Sequence, residues 1–503
     1  MNLSVIIPIY ASCDWNSHVG IRVAEVVFDW VPYGCEIVVV DASPEPVNQA
    51  QRLRQVDGVR YFHAPQTGFF SAGVARDIGA QHASRDFVFF FDVDLVFHQE
   101  LVTKIQSALT NLAASPLSFL MIPCLYLKKN ATRTVEHDRR AIQNYWRAYL
   151  QGDFSGVINL AVASSAIIIY RSTYLSTGGH RHEFAGHGCE DLELINRLTL
   201  EHALGHRELD YDLDVRQDVI ASSRGFRRYF AYYGLPRAME GMLVAHRWHP
   251  RPIRARYFRS RSRNDALFKD FVEKSDRTGL SPPALPDLNI CGRTLIQVGD
   301  DVDNVQAFRQ FLPGCGMYQV LSSGDASQSI DTGDRVLFIG QAARHLAQAH
   351  RAEGASARGA LYPSDDNPNV WRLCWWAADG ALIRDEIHEG IRRYYGDGVS
   401  YRWIFFKGYD QLSNKLLYSF EAAPYDNLNP LPPLEDFVGR LLIDAGFPPD
   451  TYSGLFMNQW GQLNIVDRWH RQLRKLILKP NTFFRDSRLF QWFCRREAGR
   501  QKR

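Results

Sequence analysis

Several signals are missing from this chain. No apolar run approaches the roughly 18–20 residues that span a bilayer. The first residues hold no basic stretch ahead of a small-residue cleavage site, so Met1–Tyr10 reads as a strand and not as a secretory leader. Eight cysteines (Cys13, Cys35, Cys124, Cys189, Cys291, Cys315, Cys374 and Cys494) are scattered without a Cys-x-x-Cys. Such spacing argues against a zinc site or a disulfide framework and fits a reducing compartment. No Gly-x-Gly-x-x-Gly follows the first apolar run and no Walker sequence occurs, which disfavours dinucleotide dehydrogenases and P-loop enzymes. Net charge is nearly absent too: 58 Lys and Arg face 55 Asp and Glu, leaving +3.

That balance hides an asymmetry. Asp467–Arg503 holds 12 Lys/Arg against 3 Asp/Glu, a local +9, so the rest of the chain carries −6. Arg224–Arg263 holds 11 arginines and a single acid, Glu240. Blocks of this kind suit a nucleic acid, a sugar-nucleotide or lipid pyrophosphate, or an anionic membrane surface. At 503 residues the chain exceeds one ordinary core, so two or three domains are expected. Its 46% apolar and 22% charged residues fit a globular protein.

The rest is organised around Phe87-Val88-Phe89-Phe90-Phe91-Asp92-Val93-Asp94. A continuous run of aromatic and β-branched residues predicts a strand buried on both faces. Aspartate is depleted in strands and costly to bury unpaired. The pair therefore marks the strand's carboxyl end, where open α/β sheets bind ligands. Alternation puts Asp92 and Asp94 on one side, where two carboxylates repel unless a cation lies between them. Oxygen ligands point to Mg2+ or Mn2+. Asp-x-Asp alone is a weak signal, since it recurs at Asp210/Asp212/Asp214 and Asp301/Asp303. Upstream, Leu3–Pro8 reads as a buried strand stopped by Pro8, Glu36–Asp41 as a second and Val59–His63 as a short third. Ser71 can cap a helix over Ala72–Ala83 that carries Arg76 and Asp77. Strands alternating with helices imply an α/β, doubly wound, mostly parallel sheet with Asp41, Asp92 and Asp94 on one carboxyl edge.

Four segments in order, Ser4-Val5-Ile6-Ile7-Pro8-Ile9-Tyr10, Ile37-Val38-Val39-Val40-Asp41, Ala75-Arg76-Asp77-Ile78-Gly79 and Phe91-Asp92-Val93-Asp94, resemble the successive motifs of family-2-type glycosyltransferases with the GT-A fold. The resemblance extends to about Lys274 and implies a Rossmann-like domain with a sugar-nucleotide donor, usually a UDP-sugar. It implies that Pro8 and Tyr10 line the nucleotide site, that Asp41 contacts the base and that Arg76 lies near the nucleotide. Asp92 and Asp94 would hold a metal bridging the diphosphate. One departure is Asp77, where the family usually has asparagine; a carboxylate there would hold Arg76 by a salt bridge.

A second informative stretch is Phe184-Ala185-Gly186-His187-Gly188-Cys189-Glu190-Asp191, just before a predicted helix over Leu192–Leu204. Acids at a helix start are favoured by its dipole alone, so residue types leave structural and functional readings open. The segment resembles the Gly-Trp-Gly-x-Glu-Asp element of β-1,4-galactosyltransferases and the related element of bacterial chondroitin-type and capsule glycosyltransferases. That resemblance implies Asp191 as catalytic base and Glu190 as acceptor contact. His187 stands where those enzymes place a tryptophan against the acceptor sugar. Inverting transfer needs one carboxylate to take the acceptor hydroxyl proton while a cation holds the leaving diphosphate. In the related enzymes a later histidine completes the metal site. His246 or His249 fills that place, with His246 preferred because it directly ends an apolar strand; Arg251, Arg254 and Arg256 follow as candidate phosphate contacts.

Thr278–Leu288, with Pro282, Pro283 and Pro286, reads as a linker. The expected organisation is a GT-A domain over 1–277, a linker over 278–290, a second α/β domain over 291–435 and a helical region with a basic amphipathic tail over 436–503. In the second domain, Trp371, Trp375 and Trp376 suit stacking on sugars, but as large aromatics they read first as core. Asp385–Glu389 lacks the spacing of a zinc-protease motif and reads as a helix face. Trp469, Leu473, Leu476 and Ile477 recur at helical spacing opposite arginines, which suits a membrane interface. The expected function is inverting, Mn2+- or Mg2+-dependent hexosyl transfer from a UDP-sugar to a glycan or lipid-linked saccharide of a bacterial capsule or O-antigen. Peripheral attachment to the inner face of the cytoplasmic membrane is expected, with no nucleic acid partner. The rivals are a bifunctional polymerase with a second transferase domain and a catalytically dead glycan- or nucleic-acid-binding protein.

Overall fold

Runs of β-branched and aromatic residues build four strands, β1 (Leu3–Ile9), β2 (Glu36–Asp41), β3 (Val59–His63) and β4 (Phe87–Phe90), which pair in parallel. The chain continues through β5 (Leu95–Val96), β6 (Phe119–Met121), β7 (Cys124–Leu127), β8 (Val157–Ala161), β9 (Ile167–Tyr170) and β10 (Val244–His246). The first sheet has the order β3-β2-β1-β4-β9-β6, with β9 and β6 joining antiparallel. This computed structural model describes residues 1–12, 16–66, 68–113, 118–205, 207–208, 210–214, 219–249, 260–275, 294–298, 318–321, 335–349, 357–394, 401–419, 431–447 and 454–457.

Both faces of the sheet are covered, as its unbroken apolar strands require. Along β4 and into the next residue, Phe89 and Phe91 enter one core with Val5, Ile7, Val39 and Trp30. Val88 and Phe90 enter the opposite core with Ile6, Val38 and Ile78. Trp30, at the end of helix Asn16–Trp30, sets its ring edge-on to Phe89 and Phe91 at 5.7 and 5.4 Å. Each fully buried side chain of this size stabilises by roughly 1.5–3 kcal/mol.

Pro8 does not stop β1, which runs one residue further. The Ile9 carbonyl accepts from Ala42 on the β2 side, while Ile6 accepts from Phe91 on the β4 side. Pro8 shares the orientation of Ile6, and β4 pairs only as far as Ile6, so the missing N–H falls where no ladder bond is due. The apolar stretch Phe119–Leu127 is also not one strand. Pro123 divides it into β6 and β7, which enter different sheets. The second sheet, β5-β10-β7-β8, carries chemistry to the edge of the first: Leu95 pairs with His246 and Val96 with Ala245. Lys129–His137 forms a helix.

The C-terminal half forms an eight-stranded sheet ordered β12-β11-β13-β14-β15-β16-β17-β18 among the described residues. Here β11 (Thr294–Val298), β12 (Tyr318–Leu321), β13 (Arg335–Ile339) and β14 (Ala357–Pro363) are parallel. Antiparallel β15 (Val370–Ala377), β16 (Leu382–Tyr394), β17 (Tyr401–Asp410) and β18 (Lys415–Ser419) follow. Asp385–Glu389 is therefore strand, not helix face. A cross-strand fork explains it: Arg372 donates to both oxygens of Asp385, at 2.8 and 2.7 Å. Trp371 and Trp375 are buried in this sheet.

Helix Leu434–Asp444 packs on helix Phe226–Met239, with the Tyr232 and Phe437 rings 4.9 Å apart. Leu434, Val438 and Leu442 thus share a core with Trp146 and Leu235. No helix among the described residues is long and apolar enough to cross a membrane. The linker 278–290, the amphipathic tail and Arg251, Arg254 and Arg256 lie outside the described residues.

Candidate functional site

The acids after β4 sit in a turn, not in the strand: Leu95 N–H donates to the Asp92 carbonyl at 2.9 Å. The turn ends strand alternation, and the two carboxylates part. Asp92 Oδ1 accepts from Arg76 Nη2 at 2.8 Å, and its Oδ2 from Ser165 Oγ at 2.6 Å. Burial pushes the Asp92 carboxyl up, but Arg76 and Ser165 outweigh burial and hold it below the usual carboxylate range. Asp94 turns elsewhere: Oδ1 pairs with Arg22, and Oδ2 lies 3.4 Å from His249 Nε2.

Pairing of β5 with β10 sets His246 beside Leu95, and Arg247 N–H donates to the Asp94 carbonyl at 2.9 Å. His246 stacks on Tyr126 with ring centres 4.5 Å apart. Ligand atoms of Asp94, His246 and His249 all lie within 4.8 Å of one another, and the three residues are half-buried. A carboxylate oxygen with two imidazole nitrogens fits Mn2+ better than Mg2+, which prefers oxygen alone. Both histidines proposed from the sequence belong to this cluster. Asp92, expected at the metal, is placed on Arg76 and Ser165 instead.

Arg76 joins the two acidic motifs. Its helix, Ala72–His82, begins at Ser71, whose Oγ accepts from Val74 N–H. The buried guanidinium donates through Nη2 to Asp92 and through Nη1 to Asp191 Oδ1 at 2.9 Å, with Glu190 Oε1 at 3.7 Å. A planar fork suits two carboxylates in this way, and a lysine would not. Burial disfavours its charge, yet Asp92, Asp191 and Glu190 outweigh burial and keep it ionised. Asp77 does not hold Arg76. Successive helical residues diverge by about 100°. The Asp77 carboxylate instead accepts from His180 N–H at 2.9 Å, from His182 Nε2 at 2.7 Å and from the Tyr174 hydroxyl.

The Glu-Asp motif is delivered by a left-handed loop. Gly186, Gly188 and Cys189 have φ of 82°, 94° and 78°. The φ of Gly188 lies in the region that favours glycine, and a Cβ there would displace the Arg261 guanidinium, whose Nη1 is 2.0 Å away. Helix Glu190–Glu201 starts at Glu190, which places both acids in its first turn. Helix Arg261–Ser275 grips the loop from the other side. His187 N–H donates to Ser260 Oγ at 2.9 Å, and Asn264 Nδ2 to the Ala185 and His187 carbonyls at 3.3 and 3.4 Å. His187 is half-buried. Burial, then the charge of Asp191, raises the Glu190 pKa well above the carboxylate range, with Arg76 opposing. Glu190 is buried, whereas 27% of the Asp191 side chain is exposed, so Asp191 is the acid of the pair open to a ligand.

Asp41, expected at a base, has a fully buried carboxylate. It accepts from Ser43 and Val47 N–H, each at 2.9 Å, and from the Tyr61 hydroxyl. It shapes the loop beyond β2, through which any influence on a base would run. Pro8 lies within β1, and Tyr10 stacks on Phe70 at 5.2 Å. Three residues of the site carry no sequence signal. Ser165 holds Asp92. Buried Arg247 pairs with Glu25 and donates to the Val93 carbonyl at 2.9 Å. Arg22, its pKa lowered to about 10 by burial and then by Arg247, holds Asp94. A helical arginine three residues before Glu25 reads as an ordinary surface pair.

Residues 4–272, more than half of the chain, match the family described as Glycosyltransferase like family 2. No curated protein matches. Among solved structures, a mutant Drosophila β-1,4-galactosyltransferase 7 with manganese, UDP-Gal and xylobiose is 13% identical with a TM-score of 0.21, covering 39% of this chain and 60% of that one. S. aureus TarS with UDP-GlcNAc is 24% identical with a TM-score of 0.19, covering 26% and 35%. A mycobacterial protein is 15% identical with a TM-score of 0.28, covering 57% and 76%. The chain thus spans less than two thirds of the first two, and likenesses at this level carry no argument about activity.

Proposed function

The chain belongs to the glycosyltransferase like family 2, and on that premise we propose that it is an inverting, metal-dependent transferase moving a hexosyl group from a UDP-sugar to a bacterial surface glycan. The observation that carries this reading is the double bridge of Arg76. One guanidinium holds Asp92, beside the Asp94–His246–His249 cluster, and Asp191, the exposed acid of the Glu-Asp motif. Donor and acceptor machinery therefore face each other across a single side chain. The four motifs that resemble UDP-sugar enzymes support the donor class.

Asp94, His246 and His249 would hold the cation, which when bound supplies positive charge to the leaving diphosphate. Arg76 fixes one oxygen of Asp191 and orients its carboxylate. Asp191 takes the proton of the acceptor hydroxyl as that oxygen attacks the anomeric carbon. The bond from that carbon to the diphosphate oxygen breaks, and UDP leaves with the electron pair. Attack opposite the leaving group inverts the anomeric centre. Glu190, its pKa raised by burial and by Asp191, lies buried beside Asp191 and, when protonated, does not repel it.

We further place the protein at the cytoplasmic face of a bacterial membrane, through the basic Asp467–Arg503 tail. Unchanged pelleting with anionic liposomes after deletion of that tail would remove this placement. The donor reading is tested by calorimetric titration of UDP, CMP and GDP with and without Mn2+. UDP binding that requires the metal is expected. Asp191→Asn should retain it while transfer in an acceptor screen falls by about 10²–10⁴-fold. UDP binding indifferent to metal, or preference for CMP, would overturn the reading.

A further inference from the structure

Asp94 has a partner that no motif announces. Arg22, on helix Asn16–Trp30, pairs with Oδ1, while Oδ2 faces His249 Nε2 at 3.4 Å. The carboxylate is divided, one oxygen to a guanidinium and one toward the histidines. Only 12% of the Arg22 side chain is exposed, so its charge is weakly screened by solvent. The neighbouring cation, Arg247, is matched by Glu25, and Arg76 by Asp92 and Asp191. The one acid of the Asp94–His246–His249 cluster is therefore already neutralised.

A bare dication entering this cluster meets a single carboxylate whose charge the adjoining Arg22 guanidinium already offsets. Repulsion from Arg22 opposes it. A dication that arrives with a diphosphate brings its own negative charge. The same guanidinium then gains phosphate oxygens, for which its fork is well shaped.

Resting on the donor reading above, we propose that Arg22 makes metal binding conditional on the diphosphate. Arg22 weakens capture of the bare cation and is itself a contact for the donor diphosphate. Asp94, held at Oδ1, serves the cation through Oδ2 alone. Arg22 is thus a binding and positioning residue and takes no part in the bond exchange.

The test counts free Mn2+ by its electron paramagnetic resonance signal during titration of the full chain. Wild type, Arg22→Gln and Arg22→Lys are compared without nucleotide, then with UDP and with GDP. Arg22→Met replaces the glutamine variant if circular dichroism shows that it has not folded. Without nucleotide, Arg22→Gln should bind Mn2+ about tenfold tighter than wild type or better, and Arg22→Lys should stay near wild type. UDP should tighten Mn2+ binding by wild type at least about tenfold, and by Arg22→Gln much less. The proposal is overturned if Arg22→Gln binds bare Mn2+ no tighter than wild type, if no protein binds Mn2+, or if neither nucleotide couples to it. Coupling with GDP and not UDP would support the role of Arg22 and sink the UDP reading.

Discussion

Two clusters in this protein are built from the same side chains, one aspartate and two histidines. Around Asp77, with His180 and His182, the carboxylate is wholly buried and filled: His180 N–H, His182 Nε2 and the Tyr174 hydroxyl all donate to it. Burial would raise its pKa, yet the hydrogen bonds of His180 and His182 hold it well below the usual range. The cluster also packs the Gly178-Gly179 turn, where a Cβ on Gly179 would stand 2.5 Å from Asp77 Oδ1. Around Asp94, with His246 and His249, the carboxylate is 25% exposed and one oxygen faces two imidazoles. Residue types do not separate the two. Burial and filled valence do, because a carboxylate whose lone pairs already receive buried donors has nothing left for a ligand.

The comparison breaks most visibly at the closed cluster. Asp77→Ala strands the donors of His180, Tyr174 and half-buried His182 and should cost about 3–5 kcal/mol in urea unfolding, with Mn2+ affinity unchanged. A loss below about 1 kcal/mol, within the ordinary range for any substitution, would deny the cluster its structural role. The converse is expected of Asp94→Asn. Mn2+ binding in the presence of UDP should weaken by about 100-fold or more, beyond the effect of typical outer-shell changes. Its unfolding free energy should move by no more than about 1 kcal/mol. Large destabilisation with intact metal binding would reverse the assignment of the two clusters.

A smaller effect sharpens the contrast with a histidine that has no carboxylate. His82 stacks on Phe62 at 4.1 Å, and its Nε2 has no hydrogen-bond partner among the described residues. Burial, then Arg60 and Arg171, lowers its pKa from 6.5 to about 4. The unfolded chain therefore takes up a proton that the folded chain refuses between these values. This contribution to stability is whole above pH 6.5 and declines as pH falls toward about 4, by at most about 1.4 kcal/mol per pH unit. His82→Phe should flatten that slope in thermal melts between about pH 7 and pH 5; an unaltered slope would clear His82 of the effect.

Much of the first sheet was legible because its signals are local. Continuous β-branched and aromatic runs mark β1 to β4, and Ser71 marks the start of the helix that carries Arg76. Legibility fails where a run crosses between sheets, as at Pro123. It fails again where alternating charge has two readings, as at Asp385–Glu389, which became strand because Arg372 pairs with it across the sheet. Within the site, Asp94 stood out at the end of an apolar strand, whereas Arg76, Glu190, Asp191, His246 and His249 were marked by the resemblance to known glycosyltransferases. Their partners were not. Asp92 went to Arg76 and Ser165, Asp77 turned away from Arg76, and Asp41 was spent on its own loop.

By itself the sequence determined the parallel core and the acids at its strand ends. Apolar periodicity and strand ends are properties of a few consecutive residues. Only the tertiary structure decided which charges meet. Arg76 reaches Asp92 across 16 positions and Asp191 across 115, and Arg22 reaches Asp94 across 72. Filling the hydrogen-bond valence of a buried charge is a matter of distance in space, and no local pattern carries it.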